Sequence, residues 1–542
     1  MTDGLLDFAE RAIEALHIRD DLQRLRLHAA RVILPPRVRL PTGPPGPPSP
    51  ELEAFLRANE RRLDVGLGAA LIVSEDQPEL DPEWVVDQLE EWAAEARGPL
   101  ARTAGATERL AAFNTFFFDV LDIEAAPTRG ASRYDEDRLA DLLLPHVIRR
   151  RRGHCVGLST LYLALGYRLG LPLYGVSVPG HFFVRWDGDG LRQNIELTSR
   201  GAVHDDAYYI DRFKIGANQV DRGIYLQSLR RREVLVEVLN NRANFYWDRG
   251  DEARVLRDLD RVVKLSHNFA QAYVGRGFVN LQRGDLHAAE EDLQEALLID
   301  DENSRAWLLL GQSLLRRGAP GAENALTRAT EFDGKSALAA TYLGLLYQQR
   351  GELERAQEWQ KNALQLDPRC HTAWVHLGQG ALAVHSVDEA RSAFQQALSL
   401  QPESLRAQEG LVVCELDPHN ELPWSALRRF RAVCKEYEGR LRMSPKAHSV
   451  RASYLRFLGE TAREVDRAVD LANELILRSA TVANVELAAT ALARLDRVDS
   501  ALGYVQRAIQ DARQAEGPDL ARLEALDRRI RSATLGARRD AV

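Results

Sequence analysis

The strongest constraint on this chain is a period. Aligned on the glycine that ends each first helix, residues 236–404 divide into five units starting at 236, 270, 304, 337 and 371, each 34 residues long except the 33-residue third. A period of this length marks a supersecondary unit that cannot bury its apolar face alone, so neighbours must stack. In the second unit Tyr273, Gly277, Gly284, Ala289, Leu293 and Ala296 fall at alternating large and small packing positions. Later units keep the set: Trp307 and Gly311; then Gly344, Tyr347, Gly351, Ala356, Ala363 and Pro368; then Trp374, Leu377, Gly378, Ala390, Phe394, Ala397 and Pro402. Small residues are needed where two helices cross closely, and aromatics fill the gap to the next unit.

This pattern resembles the tetratricopeptide repeat, which implies an all-α solenoid whose inner face binds a protein or peptide. The inward positions Asn240, Asn244, Gln271, Gln312, Thr341, Gln348, Thr372 and Gln379 predict a groove that is polar and largely uncharged. From 405 the phase decays, although 482–514 reads as another degenerate copy, so 405–542 is expected to be degenerate helical repeats and a cap.

The first half is built differently. Residues 1–34 have helical periodicity, and the Pro-rich stretch 35–50 breaks it as a linker. Apolar spacing of three and four predicts helices over 51–148, and 173–197 changes to short β-rich runs, giving a domain at 51–235. A net charge of −8 argues against nucleic acid as the main partner. No segment offers about 18 uninterrupted apolar residues, and the N-terminus carries acids where a secretory signal would be basic. These features predict a cytoplasmic protein with no membrane span. The four cysteines lie far apart without a CxxC pair, which disfavours disulfides and structural zinc.

Residues 156–169 are apolar apart from Ser159, Thr160 and Arg168, so this helix is expected to be buried on most sides, with Cys155 at its first turn. Unpaired amides and the helix dipole favour an anion there, which suits a reactive thiolate. Downstream, "DGDG" at 187–190 signals a hairpin turn. Closing that turn symmetrically sets Trp186 opposite Leu191 and His181 opposite Glu196. Phe182, Val184, Trp186, Leu191 and Ile195 then share one face, and His181, Arg185, Arg192, Asn194 and Glu196 the other. A Cys nucleophile, a His base and an acid that orients the His are the parts of acyl transfer through a thioester. Asn194 on the same face is a candidate support, and Asn114 is a candidate second oxyanion donor beside the Cys155 amide.

The stretches "LDVGLGAALIVSEDQPELDPEWVVDQLEEWA", "FNTFFFDVLDI", "RRRRGHCVGLSTLYLALGYRLGLPLYGVSVPGHFFVR" and "IELTSRG" resemble the transglutaminase-like superfamily, in particular its bacterial Sir-B type domain. The resemblance implies an α+β papain/transglutaminase-like domain, mostly helical with a small antiparallel sheet, with Cys155, His181 and Glu196 in the triad positions. It implies action on amide or peptide bonds by hydrolysis or acyl transfer, with the repeats selecting a protein. The other function class is a non-catalytic interaction scaffold on the same fold. Two departures matter: some members lack the cysteine, and the usual third residue is Asp where this chain has Glu196. The run Arg149–Arg152 reads as a solvated helix end, or else as a positive rim to the site. No cofactor motif is present, and Cys155 with His146, His154 and His204 lacks metal-ligand spacing.

Overall fold

A computed structural model describes residues 45–127, 140–416, 422–443, 448–514 and 519–539. The segment 1–34 and most of the linker 35–50 lie outside the described residues. The chain forms two compact units, Met1–Arg276 and Gly277–Val542.

In the first unit, helices α1 (Pro50–Leu56), α2 (Val65–Ser74), α3 (Pro82–Leu100), α4 (Ala106–Thr115) and α5 (Leu144–Arg150) precede the helix that matters most, α6 (Cys155–Arg168). Side-chain caps begin several of them: Asp64 accepts from the Leu67 amide at 3.0 Å and Asp81 from the Glu83 amide at 3.0 Å. Every residue of α6 from Val156 to Gly166 is buried. Its internal polar groups are satisfied locally: Thr160 donates to the Val156 carbonyl at 2.7 Å and Ser159 to the Phe182 carbonyl at 3.4 Å. At the far end Arg168 reaches water and pairs with Asp64 and Glu90. Burying each large apolar side chain of α6 stabilises the fold by about 1.5–3 kcal/mol, which is why so hydrophobic a helix lies inside. Gly157 lets its first turn approach α5, since a Cβ there would stand 2.8 Å from both the Asp141 carbonyl and the Val147 side chain.

A two-residue strand β1 (Glu124–Ala125) pairs in parallel with β2 (Arg152–Gly153), directly before α6. The main sheet is antiparallel, in the order β3 (Leu173–Val178), β4 (His181–Gly188), β5 (Leu191–Glu196), β6 (Ala202–His204). The hairpin register differs from the expected one by two residues: Gly188 pairs with Leu191 and Val184 with Ile195. The sequence offers two overlapping Asp-Gly dipeptides, and the second forms the turn, with Asp189 at φ 53° and Gly190 at φ 77°. Positive φ at both central residues is the type I′ requirement. Side chains alternate with a period of two, so the slip keeps every residue on its expected face. Phe182, Val184, Trp186 and Ile195 are buried on one side, and His181, Arg185, Asn194 and Glu196 share the other.

After α7 (Asp206–Phe213) and α8 (Ala217–Asp221), one helix, α9 (Arg231–Asp248), runs through the expected boundary at 235/236 and turns into α10 (Glu252–Leu265). Buried ion pairs close this hairpin and fasten it to the residues that follow α2. Asp258 receives Arg242 at 2.6 Å, Asp76 receives Arg257 at 2.7 Å, and Glu75 receives Arg261 at 2.9 Å. Burial alone would raise the Glu75 carboxyl, but the Arg261 hydrogen bond and the charges of Arg242, Arg257 and Arg261 hold it at about 2.

Helix α11 (Ala270–Arg283) leads into the second unit, an uninterrupted run of helices. The hairpins α13/α14 (Ser304–Arg317, Ala322–Phe332), α15/α16 (Ala337–Gln349, Leu353–Leu366) and α17/α18 (His371–Ala383, Val387–Leu400) follow α12 (Leu286–Ile299), and each first helix starts within a residue of the expected unit start. Phe394, fully buried, packs where Gly378 leaves room: a Cβ there would lie 2.8 Å from its ring. Beyond α19 (Leu405–Cys414), the helices Trp424–Met443, His448–Thr461 and Val465–Arg478 lead to the degenerate copy, seen as the pair Val482–Arg494 and Val498–Gln514. No described helix is long and apolar enough to cross a membrane.

The expected composition of the inner face needs correcting. Thr341 is fully buried, donating to the Ala337 carbonyl at 2.7 Å, and Gln312 is also buried, so both belong to the packing rather than to an open groove. The first helices α13, α15, α17 and α19 touch one another in succession, and the side they share presents arginines. Arg305 and Arg316, eleven residues apart on α13 and so on one helical face, are both exposed, as is Arg406 on α19.

Candidate active site

Three elements of the first unit converge. Cys155 is the first residue of α6, His181 the first of β4 and Glu196 the last of β5. The imidazole Nε2 lies 2.6 Å from Glu196 Oε2. Cys155 is the other group that acts on the His181 ring. The two-residue register slip places Glu196 diagonal to His181 instead of directly opposite, and the extra methylene of glutamate spans the added distance.

Glu196 is buried and heavily engaged. Its Oε1 accepts from the Thr198 amide at 3.1 Å and the Thr198 hydroxyl at 2.5 Å, and its Oε2 accepts from Tyr209 at 3.4 Å as well as facing His181. Burial would raise its pKa, but the His181 and Thr198 hydrogen bonds and the His181 charge bring it below the usual carboxylate value. The His181 ring is stacked on Phe213, with centroids 5.6 Å apart and planes 10° from parallel. Burial pulls the imidazole toward its neutral form. The hydrogen bonds to Cys155 and Glu196 and the negative charge of both partners outweigh it, lifting His181 to about 9. An imidazolium therefore persists in the site through neutral pH.

Cys155 is partly exposed, so the sulfur can be reached from solvent. His154 is the N-cap of α6, its carbonyl accepting from the Leu158 amide at 2.9 Å, and its side chain makes no capping bond. The other cysteines differ. Cys370 and Cys414 are buried, and burial pushes the thiols of Cys414 and Cys434 up to about 11.

The two support candidates are committed elsewhere. Asn194 accepts from Arg185 Nε at 2.7 Å and donates to Asp206 at 2.8 Å, so its amide braces the buried Arg185 rather than His181. Asn114 accepts from the Tyr162 hydroxyl at 2.7 Å, about two turns along α6 from Cys155. Thr198, Tyr209 and Phe213 were not picked out from the sequence. Thr198 had a signal: an acid two residues before a threonine after a strand is a local capping pattern. The stacking of Phe213 depends on how α7 folds back, for which the sequence carries no local cue.

Of the arginine run only Arg149 is exposed, and all four side chains are engaged. Arg149 lies over the Trp84 ring at 4.6 Å and Arg151 over Trp92 at 4.2 Å, while Arg150 and Arg152 pair with the buried Asp141 at 3.3 and 3.2 Å. These contacts fasten the backbone that leads into Cys155. His146 bonds Gln77 at 2.9 Å and His204 stacks on Tyr208 at 3.9 Å. Among the described residues no group of three His, Cys, Asp or Glu side chains is arranged to hold a metal ion.

A cysteine heading a buried helix, packed against an antiparallel sheet that supplies a histidine and a carboxylate from neighbouring strands, defines a transglutaminase-like domain. The stacked helical pairs behind it are tetratricopeptide repeats. Comparison with known proteins agrees: residues 83–240 match the family model described as the transglutaminase-like superfamily, and residues 270–303 and 342–370 match that of the tetratricopeptide repeat. The chain is 28% identical over 253 residues to the UPF0162 protein of Xylella fastidiosa (strain 9a5c), covering 46% of this chain and 88% of that protein. It is 26% identical over 249 residues to a UPF0162 protein of Pseudomonas aeruginosa, covering 45% and 88%. Among solved structures it is similar to a thermophilic TPR protein of Thermus thermophilus, at 20% identity and a TM-score of 0.30, over 33% of this chain and 99% of that one.

Proposed function

We propose that the first unit is a cysteine acyl-transfer centre acting on amide or peptide bonds, and that the repeats hold the protein on which it acts. The observation that carries this reading is the 2.6 Å contact between His181 and Glu196 in a site where Cys155 also acts on the imidazole. In this reading the Cys155 thiolate attacks the carbonyl carbon, forming a C–S bond. His181 gives its proton to the departing amine as the C–N bond breaks. Water or an amine, losing a proton to the same imidazole, then attacks the thioester and releases the sulfur. Glu196 fixes the ring and stabilises its charge. The amides of the first turn of α6, which have no carbonyl four residues before them, are placed to receive the oxyanion.

Incubation with a casein-derived peptide pool, followed by acid quench and mass spectrometry of the Cys155 peptide, tests this. An acyl mass on Cys155 that is absent from Cys155→Ala and diminished in His181→Ala supports the chemistry. An unmodified Cys155 with turnover of none of the peptides favours the interaction-scaffold reading.

A further inference from the structure

Three arginines on the inner side of the repeats, Arg305, Arg316 and Arg406, are exposed. Arg305 lies over the Phe278 ring at 5.7 Å, and Arg316 donates to the Leu281 carbonyl at 2.9 Å. Among the described residues neither of these, nor Arg406, has a carboxylate within ion-pair distance. The acid nearest Arg406 is Glu409, but Glu409 is buried and already accepts from Tyr437 and, at 3.2 Å, from Arg456. At 305 and 316, at 338, 342, 345 and 349, at 372, 379 and 383, and at 406 and 413, none of which is buried, no acid occurs.

Arg305 and Arg406 are exposed and yet enclosed. Burial lowers Arg305, and burial together with Arg456 lowers Arg406, as it does for cations on a concave wall. Arg316 and Arg406, from helices three repeats' span apart, both act on the Tyr342 hydroxyl between them, and Arg406 also acts on His376, which burial pushes down to about 4. The charges therefore converge on one surface, with Leu338 exposed beside them at 43%.

We infer that the inner face of α13–α19 is a docking site for an acidic polypeptide segment, whose carboxylates pair with Arg305, Arg316 and Arg406 while an apolar side chain covers Leu338. This deepens, and rests on, the reading of the repeats as the partner-binding half. Guanidinium forks suit carboxylates, and three cations on a chain of net charge −8 are too few to hold a polyphosphate backbone at physiological salt. An extended segment laid across the first helices matches how helical-repeat surfaces are used.

The test is fluorescence polarisation with the full chain and a fluorescein-labelled peptide of repeated Glu-Asp-Leu triplets. Saturable binding is expected, weakened by salt and reduced roughly tenfold by Arg406→Gln and further by the Arg305→Gln/Arg406→Gln pair, since each charged hydrogen bond contributes on that scale. Cys155→Ala should bind as the wild type does, which separates this inference from the fate of the acyl-transfer proposal. Equal binding of a Lys-Lys-Leu repeat, tighter binding of oligouridine RNA, no binding, or an unchanged affinity in the folded double variant would overturn it.

Discussion

Glu196→Gln is the substitution that the site geometry makes most informative. Glutamine keeps the length and can still accept from Thr198, but it removes the charge that faces His181 at 2.6 Å. His181 is lifted from its usual 6.5 to about 9 against a burial effect that pulls the other way. That rise corresponds to roughly 3 kcal/mol of preference for the imidazolium, at about 1.4 kcal/mol per pKa unit. Glu196 and Cys155 together supply it. Without the carboxylate only Cys155 is left to oppose burial, and the His181 midpoint should fall. Histidine-selective NMR titration reads this directly, with the His181→Ala spectrum giving the assignment. The Thr198→Val variant, which keeps the charge but loses the 2.5 Å hydroxyl bond, should move the midpoint much less. A Glu196→Gln protein whose His181 still titrates within about half a unit of the wild type would refute the claim that this carboxylate sustains the imidazolium.

Two further outcomes follow from the same charges. Because the folded-state pKa of His181 is raised, its contribution to stability is fully present below about 6.5 and is lost as pH rises through about 9. Urea midpoints should therefore fall over that window in the wild type and stay flatter in His181→Ala, and parallel curves would contradict the shift. Asp258→Ala should destabilise the first unit by about 1–3 kcal/mol, because Arg242, 1% exposed, loses one carboxylate partner and keeps Glu75 and Asp76. A loss under about 0.5 kcal/mol in denaturant unfolding would show that this pair does not hold α9 to α10.

Much of the fold is legible in residue spacing. The repeat period gave the starts of the first helices at 270, 304, 337 and 371, because small and aromatic residues recur where helices must cross, but not that of α9, which starts at Arg231. The apolar run after Cys155 marked a helix with no face to give to water. The triad could be assembled because strand alternation is insensitive to a two-residue slip: the register expected for the DGDG turn was off by two, and His181 and Glu196 still share a face. What depended on three-dimensional return of the chain was not legible. Asn194 and Asn114 are on plausible elements, but their partners are Arg185, Asp206 and Tyr162, which reach them from elsewhere in the fold. Arg149–Arg152 look solvated in sequence because the tryptophans and the aspartate that take them are not their neighbours in the chain. The inner arginines of the repeats escaped notice for a related reason: their significance lies in the absence of neighbouring acids on four different helices.

The most direct test of the site is iodoacetamide incorporation at neutral pH, resolved by cysteine, in the wild type and in His181→Ala. The account expects the partly exposed Cys155 to alkylate fastest, Cys414 and Cys434 to be almost inert because thiols held at about 11 are protonated, and His181→Ala to slow Cys155 alone. A Cys155 that alkylates no faster than the other cysteines, or at a rate that His181→Ala leaves unchanged, would contradict it.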